Sequence, residues 1–205
     1  MLVEEWLDFF RKNTNKKLFS LSDLVLLTGE NRSSLSVQLS RMVSSGIIDR
    51  PARGWYANPF RPPGDEEVAM VIRAPSYLSM EYALSRLDVL SQNVFTLTLI
   101  TTRLPYTYRG EEKVFEYHQI KRELYWGYSR EGMIHIAQPE KALLDLIYIR
   151  FSRGDGSKDS LHSLVDDMYL EDMERGRLIG YSKWFDRTTR SLLSEVLPDL
   201  KERSL

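Results

Sequence analysis

Residues 20–57 read SLSDLVLLTGENRSSLSVQLSRMVSSGIIDRPARGWYA, and the spacing of their apolar and turn-forming residues organises the N-terminal part of the chain. Ser20 is placed to cap a helix containing Leu21, Leu24, Val25 and Leu27, with Asp23 as the acidic half of a capping-box-like pair. Gly29 stops that helix. Asn31 is a good N-cap for the next one, in which Leu35, Leu39, Met42 and Val43 form an apolar stripe and Gly46 closes the end. Two helices joined by a short glycine-containing turn outline a helix-turn-helix. Ile47 to Asp49 then read as a short strand, Arg50 to Gly54 as a tight basic turn, and Trp55 to Ala57 as a returning strand, which together predict a wing. Upstream, Val3, Trp6, Leu7 and Phe10 follow helical spacing, with acids ahead and Arg11 and Lys12 behind, as the helix dipole favours. Asn13 to Lys17 form a polar break.

The charge is unevenly distributed. Residues 1–61 hold nine basic and six acidic side chains, a net of +3, so the rest of this −1 chain carries −4. From Phe9 to Arg61 the balance is nine basic against three acidic, or +6. Helical projection places Ser33, Ser34, Val37, Ser40 and Arg41 opposite the apolar stripe of the third helix. A small, polar and basic face of this kind suits a major groove about 12 Å wide: arginine can pair with guanine and valine can meet a thymine methyl. Arg32 in the first helical turn is placed for phosphate, while Arg53 at the wing tip and Lys16 and Lys17 ahead of the second helix would hold the flanking backbone. Trp55 and Tyr56 read as packing residues. The alternative is an interaction module, in which the acidic second part binds a basic partner and the winged helix serves as scaffold.

Beyond the Pro-rich stretch Asn58 to Gly64, residues 65–205 read as a second, mixed α/β domain ending in helices, after a first domain at 1–61. The overall expectation is an α+β protein with an N-terminal winged helix-turn-helix. Val68 to Ala74 is a β-rich run ending at Pro75, and Ser79 to Ser91 is helical. Strands are expected at Phe95 to Thr102, Val114 to Ile120 and Met133 to Ala137. Pro139 opens a strong amphipathic helix. Arg153 to Ser160 is a loop, followed by helices at Leu161 to Met168, Glu171 to Gly176 and Arg187 to Leu200.

No catalytic constellation emerges, so no enzyme activity and no cofactor are expected. His118, His135 and His162 lie on different expected elements without metal-ligand spacing. Gly154 to Ser157 lacks the lysine and the preceding strand of a phosphate loop. Lys141 and Asp145, four apart, read as an ordinary surface pair. The 205 residues contain no cysteine, which excludes disulfides and thiolate chemistry and leaves the cytoplasm as the expected compartment. The N-terminus lacks the pattern of a secretory signal, and the longest apolar runs fall short of a membrane span.

Four segments carry a family resemblance. These are Arg53-Gly54-Trp55-Tyr56, the stretch Tyr77-Leu78-Ser79-Met80-Glu81-Tyr82-Ala83-Leu84, the strand into Thr101-Thr102-Arg103, and above all Ile136-Ala137-Gln138-Pro139-Glu140-Lys141-Ala142-Leu143-Leu144-Asp145-Leu146-Ile147-Tyr148. Over about residues 3–150 the chain resembles the AbiEi-type antitoxins and transcriptional regulators of bacterial type IV toxin–antitoxin and abortive-infection systems. The resemblance implies a repressor whose winged helix binds inverted repeats of double-stranded DNA in its own promoter, as a homodimer or cooperatively. It further implies functional pairing with a nucleotidyltransferase-like toxin, which such an antitoxin opposes without necessarily binding it. Ser33, Ser34, Val37, Arg41 and Arg53 fall where the DNA-reading helix and wing of that family belong.

Overall fold

A computed structural model describes residues 1–110 and 113–198. The chain divides into two compact units, residues 1–72 and the residues from 73 onward. In the first, α1 (Val3–Lys12), β1 (Leu18–Ser20), α2 (Leu21–Thr28), α3 (Arg32–Ser44), β2 (Trp55–Ala57) and α4 (Asp65–Ile72) follow in order. The helix ends obey their local chemistry. The Asp23 N–H donates to Ser20 Oγ at 3.0 Å while the Ser20 N–H donates to Asp23 Oδ2 at 2.9 Å, a reciprocal capping box. Asn31 Oδ1 accepts the Ser33 N–H at 2.9 Å. Gly29 ends α2 at φ +70°, a conformation that costs glycine nothing and other residues a steric penalty. Trp6 and Phe10 of α1, Phe19, Leu24, Leu35, Leu39, Met42, Ile48 and Tyr56 form the core of this unit.

The strand expected at Ile47 to Asp49 does not form. Gly46, at φ +70°, turns the chain so that the Ile47 N–H bonds back to Met42 O at 2.9 Å, and Ile48 drops into the core. The Ala57 N–H donates to Asp49 O at 2.9 Å, which ties that segment to β2. The strand partner of β2 is β1, antiparallel, with Phe19 opposite Tyr56. Burial of Leu18 and Phe19 stabilises this pairing, each by about 1.5–3 kcal/mol.

The β-run expected at Val68 to Ala74 is likewise a helix through Ile72. Asp65, Glu66 and Glu67 occupy the first turn of α4, where the helix dipole favours acids, and Glu67 Oε2 accepts the Gly64 N–H at 2.8 Å. The same carboxylate binds Lys17 Nζ at 2.8 Å, so α4 belongs with the first unit and the division falls after Ile72.

The second unit holds a six-stranded mixed sheet in the order β5-β6-β4-β3-β8-β7. Its strands are β3 (Ser76–Leu78), β4 (Leu97–Thr101), β5 (Tyr106–Arg109), β6 (Val114–Gln119), β7 (Tyr128–Glu131) and β8 (Ile134–Ala137). Sequence spacing predicts β4, β6 and β8 and misses β3, β5 and β7. Helix α5 (Met80–Arg86), shorter than the expected 79–91, packs on β4 and on α6 (Pro139–Leu146). Helix α6 runs on into a π-helical turn at Ile147–Ser152. Then come α7 (Lys158–Asp166), α8 (Arg175–Ser182) and α9 (Arg187–Val196). Helix α7 starts inside the expected 153–160 loop, capped by Ser157. The helix expected at Glu171 to Gly176 is displaced to α8. The end of the helix expected through Leu200 lies outside the described residues.

Lys141 and Asp145 overturn their reading as a surface pair, since both side chains are fully buried. Helix α6 packs against both α5 and α8, and every residue from Glu140 to Tyr148 is buried. Lys141 Nζ binds Asp145 Oδ1 and donates to the Tyr77 hydroxyl at 2.9 Å. The Tyr77 and Ser79 hydroxyls each donate to Asp145 Oδ2 at 2.9 Å. Burial pushes the Asp145 carboxyl up and the Lys141 ammonium down, and each group opposes the other's drift.

Candidate nucleic-acid interface

Helix α3 contains no acidic residue, and its apolar stripe (Leu35, Leu39, Met42) is fully committed to the core. The opposite face is therefore left to solvent. Ser36, Val37, Ser40, Arg41, Ser44 and Ser45 line a shallow concavity there. Val37 is 52% exposed, and the Arg41 guanidinium makes no ion pair or hydrogen bond among the described residues. Serine side chains keep the helix surface low, which permits close approach of a groove edge. Of the other expected base readers, the Ser33 hydroxyl donates to Asn31 Oδ1 at 2.6 Å, and Ser34 Oγ accepts from Gln38 Nε2 at 3.0 Å. Both hydroxyls already serve the helix, leaving Val37 and Arg41 as the groups most freely presented.

The tight turn and the two helix starts come together at the N-terminus of α2. The Leu21 N–H donates to Gly54 O at 2.8 Å, which pins the 50–54 turn there, and Arg32 Nη1 donates to Ser22 Oγ at 3.4 Å. Gly54 sits at φ +78°, so the turn carrying the exposed Arg53 requires glycine. Arg53 makes no hydrogen bond or ion pair among the described residues. Arg50, in the same turn, lies 6.0 Å from the centroid of the Tyr56 ring.

The two lysines assigned to phosphate are engaged within the fold. Lys16 Nζ binds Asp23 Oδ2 at 2.8 Å and Lys17 Nζ binds Glu67 Oε2 at 2.8 Å. Burial works to raise the Asp23 carboxyl, yet the Lys16 ammonium and the Ser20 donors hold it below the usual carboxylate value. Lys16 and Lys17 thus each commit one N–H to an internal carboxylate, which offsets the charge they would present to a phosphate.

No family model and no curated protein matches the chain. The resemblance to AbiEi-type regulators accordingly rests on the four segments quoted above.

Gln38 is the residue that sequence reasoning missed. Its Oε1 accepts from Trp6 Nε1 at 2.9 Å, and its Nε2 donates to Glu30 Oε2 at 3.2 Å and to Ser34. One amide thereby ties α3 to α1 and to the turn before α3. The available signal was small: Gln38 is the one long uncharged polar side chain on that helix, four residues after Ser34. The histidines remain scattered. His118 lies 3.4 Å from Glu116, His135 accepts from Arg130 at 3.1 Å and His162 lies 3.8 Å from Glu195. Among the described residues no group of three histidine or acidic side chains is placed to hold a metal ion, and no helix is long and apolar enough to cross a membrane.

Proposed function

We propose that the first unit is a winged-helix module that binds duplex DNA sequence-specifically, and that the chain acts as an autorepressing antitoxin of the AbiEi type. The observation that carries this reading is the acid-free outer face of α3, where Arg41 stands without a partner beside exposed Val37 and a row of serines. Arg53, on a turn pinned to the start of α2, and Arg32, in the first turn of α3 and bonded to Ser22 of α2, supply exposed cations near the start of α2. On this reading α3 lies in the major groove, Arg41 and Val37 contact base edges, and Arg32 and Arg53 contact phosphates. A two-fold dimer or cooperative pair on inverted repeats extends the recognised length beyond one half-site. Pairing with a nucleotidyltransferase-like toxin, a cytoplasmic location and a non-enzymatic role belong to the same proposal, and the four family-like segments support it.

The test is fluorescence anisotropy of the full chain on its own upstream DNA and on a scrambled duplex across a salt series. The expected preference is roughly a thousandfold or more. Because Lys16 and Lys17 are already paired, the slope of log affinity against log salt should reflect about two phosphate contacts per protomer, those of Arg32 and Arg53, near −0.9 for each phosphate neutralised. Equal, weak binding to both duplexes would overturn the proposal. Two substitutions separate the roles. Arg53→Ala should weaken binding to all sequences and reduce the salt slope by about 1, whereas Arg41→Ala should relax preference at particular base pairs, at about 1–3 kcal/mol each. Uniform loss on every sequence for Arg41→Ala would remove it from the base readers.

A further inference from the structure

In the second unit a cleft of ≈ 570 Å³ is lined by Lys121, Arg122, Tyr148, Trp184, Phe185 and Asp186, among others. Its volume falls within the range of small-ligand sites, about 300–1,000 Å³. Trp184 is 69% exposed, with its ring 6.2 Å from the Trp126 ring. An indole left in water forfeits burial that a core position would supply, so its placement invites a use.

The cations Lys121, Arg122, Arg153 and Arg187 around it are exposed, and the Lys121 ammonium helps hold the Asp186 carboxyl below its usual value. Among the described residues, the side chains of Lys121, Arg122 and Arg187 make no hydrogen bond or ion pair within 4 Å, although this part of the chain is acidic overall. Arg153 donates to the Tyr148 hydroxyl at 3.2 Å, with its guanidinium 5.6 Å from the centroid of that ring. Two carboxylates also line the cleft. That of Asp186 is committed, accepting the Thr189 N–H at 2.8 Å and the Ser152 hydroxyl at 3.2 and 3.3 Å. That of Glu123 is exposed and opposes an anion.

Helix α9 places Arg187 and Arg190 in its first turn, which contains no acid. Cations there work against the helix dipole, and the Asp186 carboxylate at the N-cap offsets part of that cost. An exposed indole beside exposed cations matches a nucleobase joined to a phosphate. In a duplex the base faces are already stacked, whereas a single strand leaves them open.

We infer that the Trp184 cleft binds single-stranded nucleic acid, one base stacking on the indole while Lys121, Arg122 and Arg153 take the adjoining phosphates. This site is independent of the duplex-reading face and does not rest on it.

The experiment uses the full chain and a fluorescein-labelled dT12 strand, read by anisotropy. Trp184→Ala should weaken binding about tenfold. Its side chain is exposed, so an unchanged circular dichroism spectrum will show that the fold is retained. The double variant Lys121→Glu, Arg122→Glu should weaken binding at least as much and flatten its salt dependence. Arg41→Ala and Arg53→Ala should leave dT12 affinity as it is. Absence of dT12 binding, a Trp184→Ala affinity within about twofold of the parent, or a loss that follows Arg41→Ala would overturn the inference. Displacement of dT12 by free dTMP at equal nucleotide concentration would overturn it in favour of a mononucleotide site.

Discussion

Lys141→Ala is expected to destabilise the second unit by about 3–5 kcal/mol, read as a fall in the urea midpoint followed by circular dichroism. The substitution leaves Asp145 fully buried with the Tyr77 and Ser79 hydroxyls as its remaining donors. It also removes the ammonium that lies 5.3 Å from the Trp126 and Phe185 ring centroids, opening space between α6 and its neighbours. Burial already pushes the Asp145 carboxyl up, and loss of Lys141 removes the cation that opposes this rise. A folded pKa above the unfolded value of about 3.9 means that the variant keeps most of its stability below that pH and loses it as pH rises through the folded value. Replacing the whole cluster tests the cause. Lys141→Met with Asp145→Leu, Tyr77→Phe and Ser79→Ala removes every polar partner together, and should recover stability to within about 1 kcal/mol of the parent or beyond it. A cost below about 1 kcal/mol for Lys141→Ala alone would show that the pair does not hold α6 in place.

Asn58→Asp is expected to cost the first unit about 3 kcal/mol at neutral pH, although the two side chains have the same shape. Asn58 is fully buried, and its Nδ2 donates to three carbonyls, Phe10 O at 3.0 Å, Asn13 O at 3.2 Å and Lys16 O at 3.1 Å. Its Oδ1 accepts the Phe60 N–H at 3.0 Å. An aspartate sets a carboxylate oxygen against those three carbonyl oxygens, acceptor against acceptor. Protonation restores one donor, so the new carboxyl should titrate above its unfolded value. The penalty should then be smallest below about pH 4 and grow as pH rises through the folded pKa. Asn58→Ala should instead cost about 1–3 kcal/mol at every pH. Thermal melts at pH 4 and pH 7 distinguish the two, and a pH-independent loss for Asn58→Asp would refute the electrostatic account.

The elements legible in the sequence are those whose signal is local. Ser20 with Asp23, Gly29, Asn31 and Pro139 mark helix boundaries by chemistry confined to a few residues, and the structure places helix ends at each. The apolar stripe of α3 likewise identifies its outer face, which is why Val37 and Arg41 could be singled out before any contact was known. Strand pairing was not legible. Ile47 to Asp49 has strand composition, but the left-handed Gly46 and the competing Leu18 and Phe19 send β2 to another partner. Val68 to Ala74 has it too, and the acidic first turn at Asp65 to Glu67 prevails.

Polar residues were misread wherever burial decided their role. Asn58 stands at the head of a proline-rich stretch that reads as a linker, yet it is the hydrogen-bonding hub of the first unit. Lys16 and Lys17 read as free cations until Asp23 and Glu67 are brought to them. An i, i+4 lysine–aspartate pair satisfies a solvated helix face and a buried one equally well in sequence; the packing of α5 and α8 on α6 decides between them.

By itself, then, the sequence determined the starts of α2, α3 and α6, the charge contrast between the two parts and the exposed face of α3, because capping, composition and helical period act over a few residues. Only the tertiary structure decided which strand pairs with β2, which cations remain free and which polar side chains lie in the core. Those outcomes depend on groups distant in the chain competing for the same donor, acceptor or apolar surface, and that competition is settled only when the chain has closed on itself.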